Sequence, residues 1–309
     1  MRIAIVGAGA MGQLFGAHLG AAGHDTVLID VSAEAVAAID AHGIAVRTGD
    51  GGGFRAQVRA ALAPEIAGAV ELVMVFTKTM HSEAALDSVA HLIDDGTLVL
   101  SLQNGLGNER PIVDRVGADR AFIGTTDYPA DRQPEGGIAT SAEGKIVIGG
   151  LGAAGSDRAA ELAEVFAAAG MRALHHERVY EAVWEKAIFN AVLNTLTAAT
   201  GLTVGATGRE LPALRLVDDV LAETFAVAAA RGVAVDEARV RAAVRNAQQS
   251  HGEHRTSMLV DLEAGRATEI EAIGGAISRI GVEVGVPTPV LSTLCDIVRL
   301  REAALQRTA

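Results

Sequence analysis

The chain has 309 residues, of which 50% are apolar and 21% charged, and its net charge at pH 7 is -12. This length and composition are those of a globular protein with room for two hydrophobic cores. The acidic balance disfavours nucleic acid and membrane surfaces as partners, because both are bound through clusters of Lys and Arg. The single cysteine, Cys295, excludes an intrachain disulfide and favours a reducing compartment. No apolar run is long enough to span a bilayer and segment 3–6 is too short for a signal peptide, so we expect a cytoplasmic protein.

Short apolar strands alternate with helical patterns through the first half of the chain. Strands are predicted at residues 3–6, 26–29, 44–47, 54–58, 72–76, 98–101 and 121–124. Helices are predicted between them at residues 11–22, 33–41 and 82–92. Apolar strands that alternate with helices are typical of a parallel sheet covered on both faces. We therefore expect an α/β fold whose N-terminal part is a Rossmann-type, doubly wound parallel sheet.

The pattern changes in the second half of the chain. Residues 138–141 and 145–148, joined by residues 142–144, predict an antiparallel hairpin that extends the sheet at one edge. A last strand-like piece at 172–175 is followed by an almost continuous helical pattern. We therefore expect residues 1–176 to form a dinucleotide-binding Rossmann domain and residues 177–309 to form an all-helical substrate and catalytic domain.

A glycine-rich segment directly follows the first predicted strand and opens the first predicted helix. Glycine permits the tight turn, the approach of the backbone to a pyrophosphate and close helix–strand packing. The N-terminus of the helix offers N–H groups to the phosphates. The alternative, a glycine-rich turn that binds nothing, is disfavoured by the position between one strand and one helix. The residues predicted to bind the dinucleotide here are Gly7, Ala8, Gly9, Ala10, Met11 and Gly12.

Three polar residues follow the ends of later strands. Asp30 ends the second strand, where a carboxylate binds the ribose hydroxyls of NAD and repels a 2′-phosphate, while Ser32 is the better helix cap. We therefore expect NAD(H), with NADP(H) as the alternative. Lys78 fits a cofactor contact and a solvated surface lysine equally well. Asn104 is expected at the carboxyl edge of the sheet, where ligands bind, although Asn before Gly also fits a simple turn.

A lysine and two asparagines share one face of a predicted helix. Lys186, Asn190 and Asn194 are spaced at i, i+4 and i+8, and nearly every other position from 187 to 196 is apolar. A helix that is apolar around most of its circumference is buried, so the polar stripe is expected to line an internal cleft. The alternative, a solvated lysine beside two capping asparagines, fits these apolar surroundings less well.

Further polar candidates lie in the segment 257–271. Ser257 begins the sequence Ser-Met-Leu in a helical stretch. Thr268 and Glu271 fit a capping box that opens the next helix. This leaves Glu269 as a first-turn carboxylate, for which interaction with the helix dipole is the structural alternative. The histidines and carboxylates show no convincing metal-ligand spacing, so we expect no metal.

Together these segments resemble the ketopantoate reductase (2-dehydropantoate 2-reductase) family along essentially the whole chain. The glycine motif is shared by many dehydrogenases, whereas the combination of the lysine–asparagine helix with the later Ser-Met-Leu and Thr-Glu-Ile segments is specific. The segments that carry the resemblance are 7–12, 103–107, Trp184-Glu185-Lys186 with Asn190 and Asn194, 257–259 and 268–270.

The resemblance implies an NAD(P)H-dependent oxidoreductase that reduces a 2-keto acid to an (R)-2-hydroxy acid, with 2-dehydropantoate as the expected substrate. It implies that Lys186 is the general acid and that Glu269 works beside it. A lysine is protonated at neutral pH and can supply the proton that the new alkoxide needs. The resemblance also implies a set of substrate-binding residues, namely Asn104, Asn190, Asn194 and Ser257.

Two departures from the family pattern bear on the substrate and the cofactor. Gly274-Gly275 stands where the family often has an Asn, and Asp30 stands where many relatives have a basic residue for NADP. The alternatives are an NAD-dependent D-2-hydroxyacid dehydrogenase for another branched or aromatic 2-keto acid and, in a different class, a non-catalytic dinucleotide-sensing protein. The pair Lys186 and Glu269 disfavours the sensor. A second copy of the chain, in a homodimer, remains a candidate partner.

Overall fold

Contacts between residues divide the chain into two units. The computed structural model describes residues 1–133, 136–141, 143–153, 155–250 and 252–307. The first unit contains Met1–Gln103 and Asn108–Val179, and the second contains Asn104–Gly107 and Tyr180–Ala309. Strands and helices alternate in the first unit, and helices follow one another in the second. The expected α/β fold class, with a Rossmann-type sheet followed by a helical part, is confirmed.

The strands of the first unit form two sheets within the described residues. The strands are β1 (Arg2–Val6), β2 (Asp25–Ile29), β3 (Ile44–Thr48), β4 (Gly53–Ala56), β5 (Arg59–Ala61), β6 (Leu72–Val75), β7 (Leu98–Ser101), β8 (Ala121–Thr126), β9 (Asp131–Arg132), β10 (Ile138–Thr140), β11 (Ile146–Gly150) and β12 (Ala173–His175). The larger sheet has the order β12-β11-β8-β7-β6-β1-β2-β5. Its neighbouring strands are parallel except for β8 and β11. The order runs outward in both directions from β1 and β6, which is the doubly wound arrangement that binds ligands at the switch point.

The expected hairpin between residues 138–141 and 145–148 is wrong. β10 pairs in parallel with β3 in the smaller sheet, whose order is β4-β3-β10-β9. β11 instead pairs antiparallel with β8 in the larger sheet, where Ile146 and Ile148 are fully buried. Ala142, in the expected turn, lies outside the described residues. A short connection between two alternating segments predicts a hairpin locally, but burial against partners distant in sequence decided the pairing here.

Helices cover the sheet of the first unit. They are α1 (Ala10–Ala21), α2 (Ala33–His42), α3 (Ser82–Ser88), α4 (Glu109–Val116) and α5 (Gly155–Ala168). Glycine allows α1 to approach the sheet closely, since a Cβ on Gly16 would lie 2.6 Å from Leu28 Cδ1. The predicted helix 82–92 is shorter than expected, because α3 ends at Ser88 and a separate 3-10 turn covers Ala90–Leu92.

The second unit is built around one long buried helix. Its helices are α6 (Val179–Thr200), α7 (Val204–Thr207), α8 (Leu211–Ala230), α9 (Glu237–Ser250), α10 (Ser257–Glu263), α11 (Gly274–Val284) and α12 (Pro289–Gln306). On α6, Ala187, Ile188 and Ala191 are fully buried in the core of this unit. The prediction that α6 is apolar around most of its circumference, and therefore buried, agrees with this packing. In the described residues, no helix combines the length and apolarity needed to cross a bilayer.

The capping box expected at Thr268 and Glu271 is wrong. Residues 270–273 form a turn, and α11 begins later, at Gly274. The Glu271 carboxylate accepts hydrogen bonds from Arg279 and Arg299, while the Thr268 N–H donates to Glu302. Pairing with arginines from α11 and α12 therefore replaced a local cap that the sequence spacing allowed.

The segment Asn104–Gly107 belongs to the second unit, although we expected Asn104 in the Rossmann domain. The Leu106 N–H donates to the Ala272 carbonyl at 2.9 Å. Gly105 has a φ of 93°, and a Cβ there would lie 2.3 Å from the Ala272 oxygen. This close approach, which requires a glycine, attaches the segment to the turn before α11.

Candidate functional site

The glycine loop between β1 and α1 has the geometry of a phosphate-binding turn. Gly7 has a φ of 103°, and a Cβ on it would lie 2.8 Å from the Thr77 nitrogen. A Cβ on Gly12 would lie 2.0 Å from the Gly7 oxygen, whereas the space at Gly9 is open. The first N–H groups of α1 have no acceptors within the helix and lie next to this opening. The loop can therefore accept a pyrophosphate against its backbone.

Asp30 closes the glycine loop from the end of β2. Its Oδ2 accepts the Ala8 N–H at 2.8 Å, and its Oδ1 accepts the Ser32 N–H at 3.0 Å. Ser32 caps α2 by accepting the Ala35 N–H, as expected from the sequence. The next side chain, Val31, is 95% exposed. A carboxylate followed by an apolar side chain provides acceptors for ribose hydroxyls and no cation for a 2′-phosphate.

Two strand ends beside the glycine loop are joined by Gln103. Its Nε2 donates to the Thr77 carbonyl at 2.6 Å and to Ser82 Oγ at 2.8 Å, and its Oε1 accepts from Ser101 Oγ. Sequence reasoning missed this role, although an amide at a strand end was a visible signal. Lys78, which follows Thr77, is half-buried.

A buried hydroxyl beside the glycine loop fits a bound dinucleotide. Thr77 Oγ1 is buried and has no hydrogen-bond partner within the described part of the chain. Buried polar groups without partners are rare, and each calls for an explanation such as strain, a catalytic role or a bound water or ion. The open space at Gly9 and this orphaned hydroxyl offer room and a hydrogen-bonding group for a dinucleotide.

The polar stripe of α6 lies in the second unit. Asn190 is 5% and Asn194 is 7% exposed, and Lys186 is half-buried one turn before them. Asn190 Nδ2 donates to Asn104 Oδ1 at 3.3 Å. Lys186 Nζ lies 5.9 Å from the centre of the Phe189 ring, within the range of a cation–π contact.

The segment Asn104–Gly107 connects this stripe to the turn that contains Glu269. Asn104 contacts Asn190 on one side, and two residues later Leu106 binds Ala272. The Ala272 N–H in turn donates to the Glu269 carbonyl at 3.1 Å. We expected Glu269 in the first turn of a helix. Instead it is half-buried and lies in the loop before α11. The segment Asn104–Gly107 thus contacts both Asn190 and the turn that contains Glu269.

Ser257 is the exposed first residue of α10. The preceding residue, Thr256, hydrogen-bonds to Thr197 of α6 through its side chain. Thr197 lies eleven residues after Lys186, which is about three helical turns and therefore the same face of α6. Sequence reasoning missed Thr197, although its spacing continues the stripe of Lys186 and the two asparagines.

Two further kinds of site, a metal cluster and a reactive thiol, are considered for the described residues. No group of three or more His, Cys, Asp or Glu side chains there could hold a metal ion. Burial raises the pKa of the Cys295 thiol to about 12, so this thiol is neutral near pH 7 and is a poor nucleophile.

Comparison with known proteins decides the family. The family model described as "Ketopantoate reductase PanE/ApbA" matches residues 3–186, and its C-terminal counterpart matches residues 178–302. The chain belongs to the ketopantoate reductase family. The resemblance inferred from the motifs is confirmed, and the protein is an oxidoreductase of this family that uses a nicotinamide dinucleotide.

Members of the ketopantoate reductase family can be aligned with nearly the full length of this chain. The 2-dehydropantoate 2-reductase of Lactococcus lactis subsp. lactis is 33% identical, with 99% of each chain covered, and that of Halobacterium salinarum is 31% identical, with 98% and 99% covered. A ternary structure of D-mandelate dehydrogenase with NADH and anilino(oxo)acetate has a TM-score of 0.93 and 32% identity over 99% of this chain and 100% of that one. The 2-dehydropantoate 2-reductase of Geobacter metallireducens has a TM-score of 0.90 and 31% identity, with 97% and 99% covered.

Proposed function

We propose that this protein reduces 2-dehydropantoate to (R)-pantoate. The observation that carries the proposal is the polar stripe of Lys186, Asn190 and Asn194 on the buried helix α6, in a chain whose curated relatives are named 2-dehydropantoate 2-reductase. Amide side chains suit a substrate that carries a carboxylate and a hydroxyl, since they donate hydrogen bonds without adding a strong acid.

In the proposed reaction Lys186 acts as general acid. A nicotinamide dinucleotide, when bound by the glycine loop, would be the source of the hydride that reduces the keto carbon. Lys186 Nζ donates a proton to the carbonyl oxygen as it gains negative charge, and a proton from solvent restores the ammonium group. Glu269 orients Lys186 and favours its charged form. The side chains that hold the substrate are Asn104, Asn190, Asn194 and Ser257.

The cofactor we propose is NADH, bound by Gly7–Gly12 and Asp30. Support comes from the Asp30 carboxylate, the neutral Val31 beside it and the two D-mandelate dehydrogenase structures that contain NADH. Lys78 and Asn104 are further candidate contacts. NADPH is the alternative, in which Lys78 would face the 2′-phosphate. Replacing Asp30 with Ala is expected to narrow the preference for NADH, because the carboxylate would no longer repel that phosphate.

A second candidate substrate is an aromatic 2-keto acid. The structure of D-mandelate dehydrogenase with TM-score 0.93 favours it, and so does the half-buried Phe189 ring beside Lys186. Aromatic rings pack favourably on one another in offset or edge-to-face arrangements. On this alternative the enzyme is an NADH-dependent D-2-hydroxyacid dehydrogenase with the same acid and the same dinucleotide loop.

A panel of 2-keto acids assayed with NADH and with NADPH tests these proposals. We expect the highest kcat/KM with 2-dehydropantoate and NADH. A higher kcat/KM with phenylglyoxylate would transfer the assignment to the second candidate, and a clear preference for NADPH would contradict the role of Asp30. Binding of a dinucleotide without reduction of any 2-keto acid would instead favour the dinucleotide sensor.

The remaining partners are also proposals. The net charge of -12 supports a small-molecule ligand rather than nucleic acid, and the presence of a single cysteine supports a reducing, cytoplasmic environment. We propose a homodimer as the assembly to test, by light scattering of the purified protein across a concentration series.

A further inference from the structure

Two buried threonines join α10 to α6 in the second unit. Thr197 Oγ1 and Thr256 Oγ1 are 2.7 Å apart, and the residues are 0% and 4% exposed. Thr197 Oγ1 also lies 2.8 Å from the Leu193 carbonyl, and Thr256 Oγ1 accepts the Leu259 N–H at 3.4 Å.

Each hydroxyl has one proton, so these contacts define a direction. The Thr197 hydroxyl donates to the Leu193 carbonyl, and its oxygen then accepts the proton of Thr256. Thr256 in turn accepts from Leu259 in the first turn of α10. The result is a continuous chain of hydrogen bonds from the start of α10 to the backbone of α6, and such chains are mutually reinforcing.

We propose that Thr197 and Thr256 are positioning residues that hold Ser257 at the end of the polar stripe. This inference rests on the proposed function. Ser257 follows Thr256 directly, and Asn194 lies three residues before Thr197 on the same helix. Because a hydroxyl–hydroxyl bond tolerates little change in distance, the threonine pair sets the separation between Ser257 and the stripe.

The fold around this pair is supported independently. Met258, Leu259 and Leu262 of α10 are at most 2% exposed. The segment before α10 is held by the Val204 N–H, which donates to the His254 carbonyl at 2.9 Å. Removal of one hydroxyl is therefore expected to leave α10 folded and to loosen the position of its first residue.

The chain offers a matched pair of variants for the test. Thr197→Val removes a hydroxyl and nearly conserves the shape of the side chain. Thr224→Val makes the same change in α8, where Thr224 is also 0% exposed and bonds the Val220 and Leu221 carbonyls at 2.8 and 3.1 Å. The two bonds of Thr224 stay within its own helix, so this variant reports the cost of losing a buried hydroxyl without the link to α10.

Steady-state kinetics with the 2-keto acid and NADH distinguish positioning from general stability. For Thr197→Val we expect kcat/KM to fall about tenfold, mainly through the KM of the 2-keto acid, while the KM of NADH changes less than about twofold. Thr224→Val is expected to stay within about twofold of the unaltered protein, and Thr197→Ser to recover most of the loss. In a Ser257→Ala background, Thr197→Val is expected to lower kcat/KM by less than about twofold, because the threonine pair acts through Ser257.

Equal losses in Thr197→Val and Thr224→Val, or a full tenfold loss in the Ser257→Ala background, would overturn the proposal. If Thr197→Val does not fold, Thr197→Cys is compared with Thr224→Cys, because a thiol is a weaker hydrogen-bond partner. The loss of kcat/KM is then expected to be at least about three times larger for Thr197→Cys than for Thr224→Cys. Equal losses overturn the proposal. Failure of the unaltered protein to reduce any 2-keto acid is a separate result, which would remove the proposed function and this inference with it.

Discussion

Single side chains carry the proposed chemistry, and Lys186 carries its proton transfer. The chain has lysines at positions 78, 145 and 186, and the last of these lies on the buried helix α6 beside two nearly buried asparagines. Position, rather than residue type, therefore distinguishes it. A buried polar stripe costs free energy unless its groups are satisfied, and a substrate with a carboxylate and a carbonyl can satisfy it.

Replacement of Lys186 with Ala is expected to lower kcat by about 10²–10⁴-fold, because the alkoxide loses its proton donor. NADH affinity should change less than about twofold, since the glycine loop lies in the other unit. Lys145→Ala is the matched control, because Lys145 is exposed and its loss changes the net charge equally. Stopped-flow turnover and NADH fluorescence titration measure the two effects. Wild-type turnover in Lys186→Ala would reduce Lys186 to a structural residue.

At the scale of elements, one short segment follows a strand of the first unit in the chain but belongs to the second unit. Residues Asn104–Gly107 follow β7 of the sheet but pack in the helical unit, through Asn190 and Ala272. A glycine at position 105 makes this packing possible, because its backbone touches the Ala272 carbonyl. Geometry at the site is thus set by contacts between elements that are far apart in sequence.

Gly105→Ala is expected to lower kcat/KM for the 2-keto acid by at least about tenfold, because a Cβ 2.3 Å from the Ala272 oxygen must displace the segment that carries Asn104. Gly107→Ala is the matched control. Gly107 also has a positive φ, 90° against 93°, but a Cβ there would meet open space. Kinetics and thermal melts of both variants distinguish the steric effect of the contact with Ala272 from the cost of a positive φ in a residue other than glycine. Similar losses in the two variants would contradict a role for the approach to Ala272.

The packing of α11 against α12 predicts an unreactive cysteine. A Cβ on Gly274 would lie 2.7 Å from Cys295 Sγ, and burial raises the pKa of this thiol to about 12 from an ordinary value of 9.0. The folded protein should therefore resist alkylation by iodoacetamide at pH 8 and react after denaturation in guanidinium.

The same pKa shift predicts a dependence of stability on pH. The raised thiol pKa means that, between about pH 9 and 12, the folded state binds a proton that the unfolded state has lost. Its contribution to stability is complete below pH 9 and is lost as the pH rises towards 12. Denaturant unfolding of Cys295→Ala should show less loss of stability across this range than the unaltered protein. Rapid alkylation of the native thiol at pH 8 would contradict both predictions.

At the scale of the whole molecule, the described residues form three hydrophobic clusters, two in the first unit and one in the second. The first unit packs residues such as Leu14, Phe15 and Phe122 around its sheet, and the second packs Ile188 and Leu221 around α6. The proposed dinucleotide contacts other than Asn104 lie in the first unit, and the proposed acid lies in the second. The proposed roles are therefore divided between residues of the two units.

Hydrogen exchange followed by mass spectrometry is expected to show this division. NADH alone should slow exchange at the glycine loop and at the end of β2, where backbone N–H groups meet the ligand. Addition of a non-reactive 2-keto acid analogue should slow exchange further at the start of α10 and in the Glu269 turn. A variant with Lys186→Ala should retain the first effect. Protection by NADH confined to the helical unit would contradict the assignment of the glycine loop.

Local sequence patterns by themselves determined much of the secondary structure and the family of this protein. The glycine loop, the strand–helix alternation, the Ser32 cap and the buried character of α6 follow from spacing within a few residues, where backbone sterics and amphipathic periodicity act. The combination of the lysine–asparagine helix with the later Ser-Met-Leu and Thr-Glu-Ile segments was sufficient to identify the family. The assignments of Lys186, Glu269 and the other site residues remain predictions for the experiments above.

Tertiary structure decided what local pattern left open. β10 and β11 follow each other closely but join different sheets, Glu271 pairs with arginines instead of capping a helix, and Asn104 packs with the helical unit. The bond between Thr197 and Thr256 joins residues 59 positions apart. In each case the deciding free energy comes from burial or hydrogen bonding between groups distant in the chain, which no window of neighbouring residues contains.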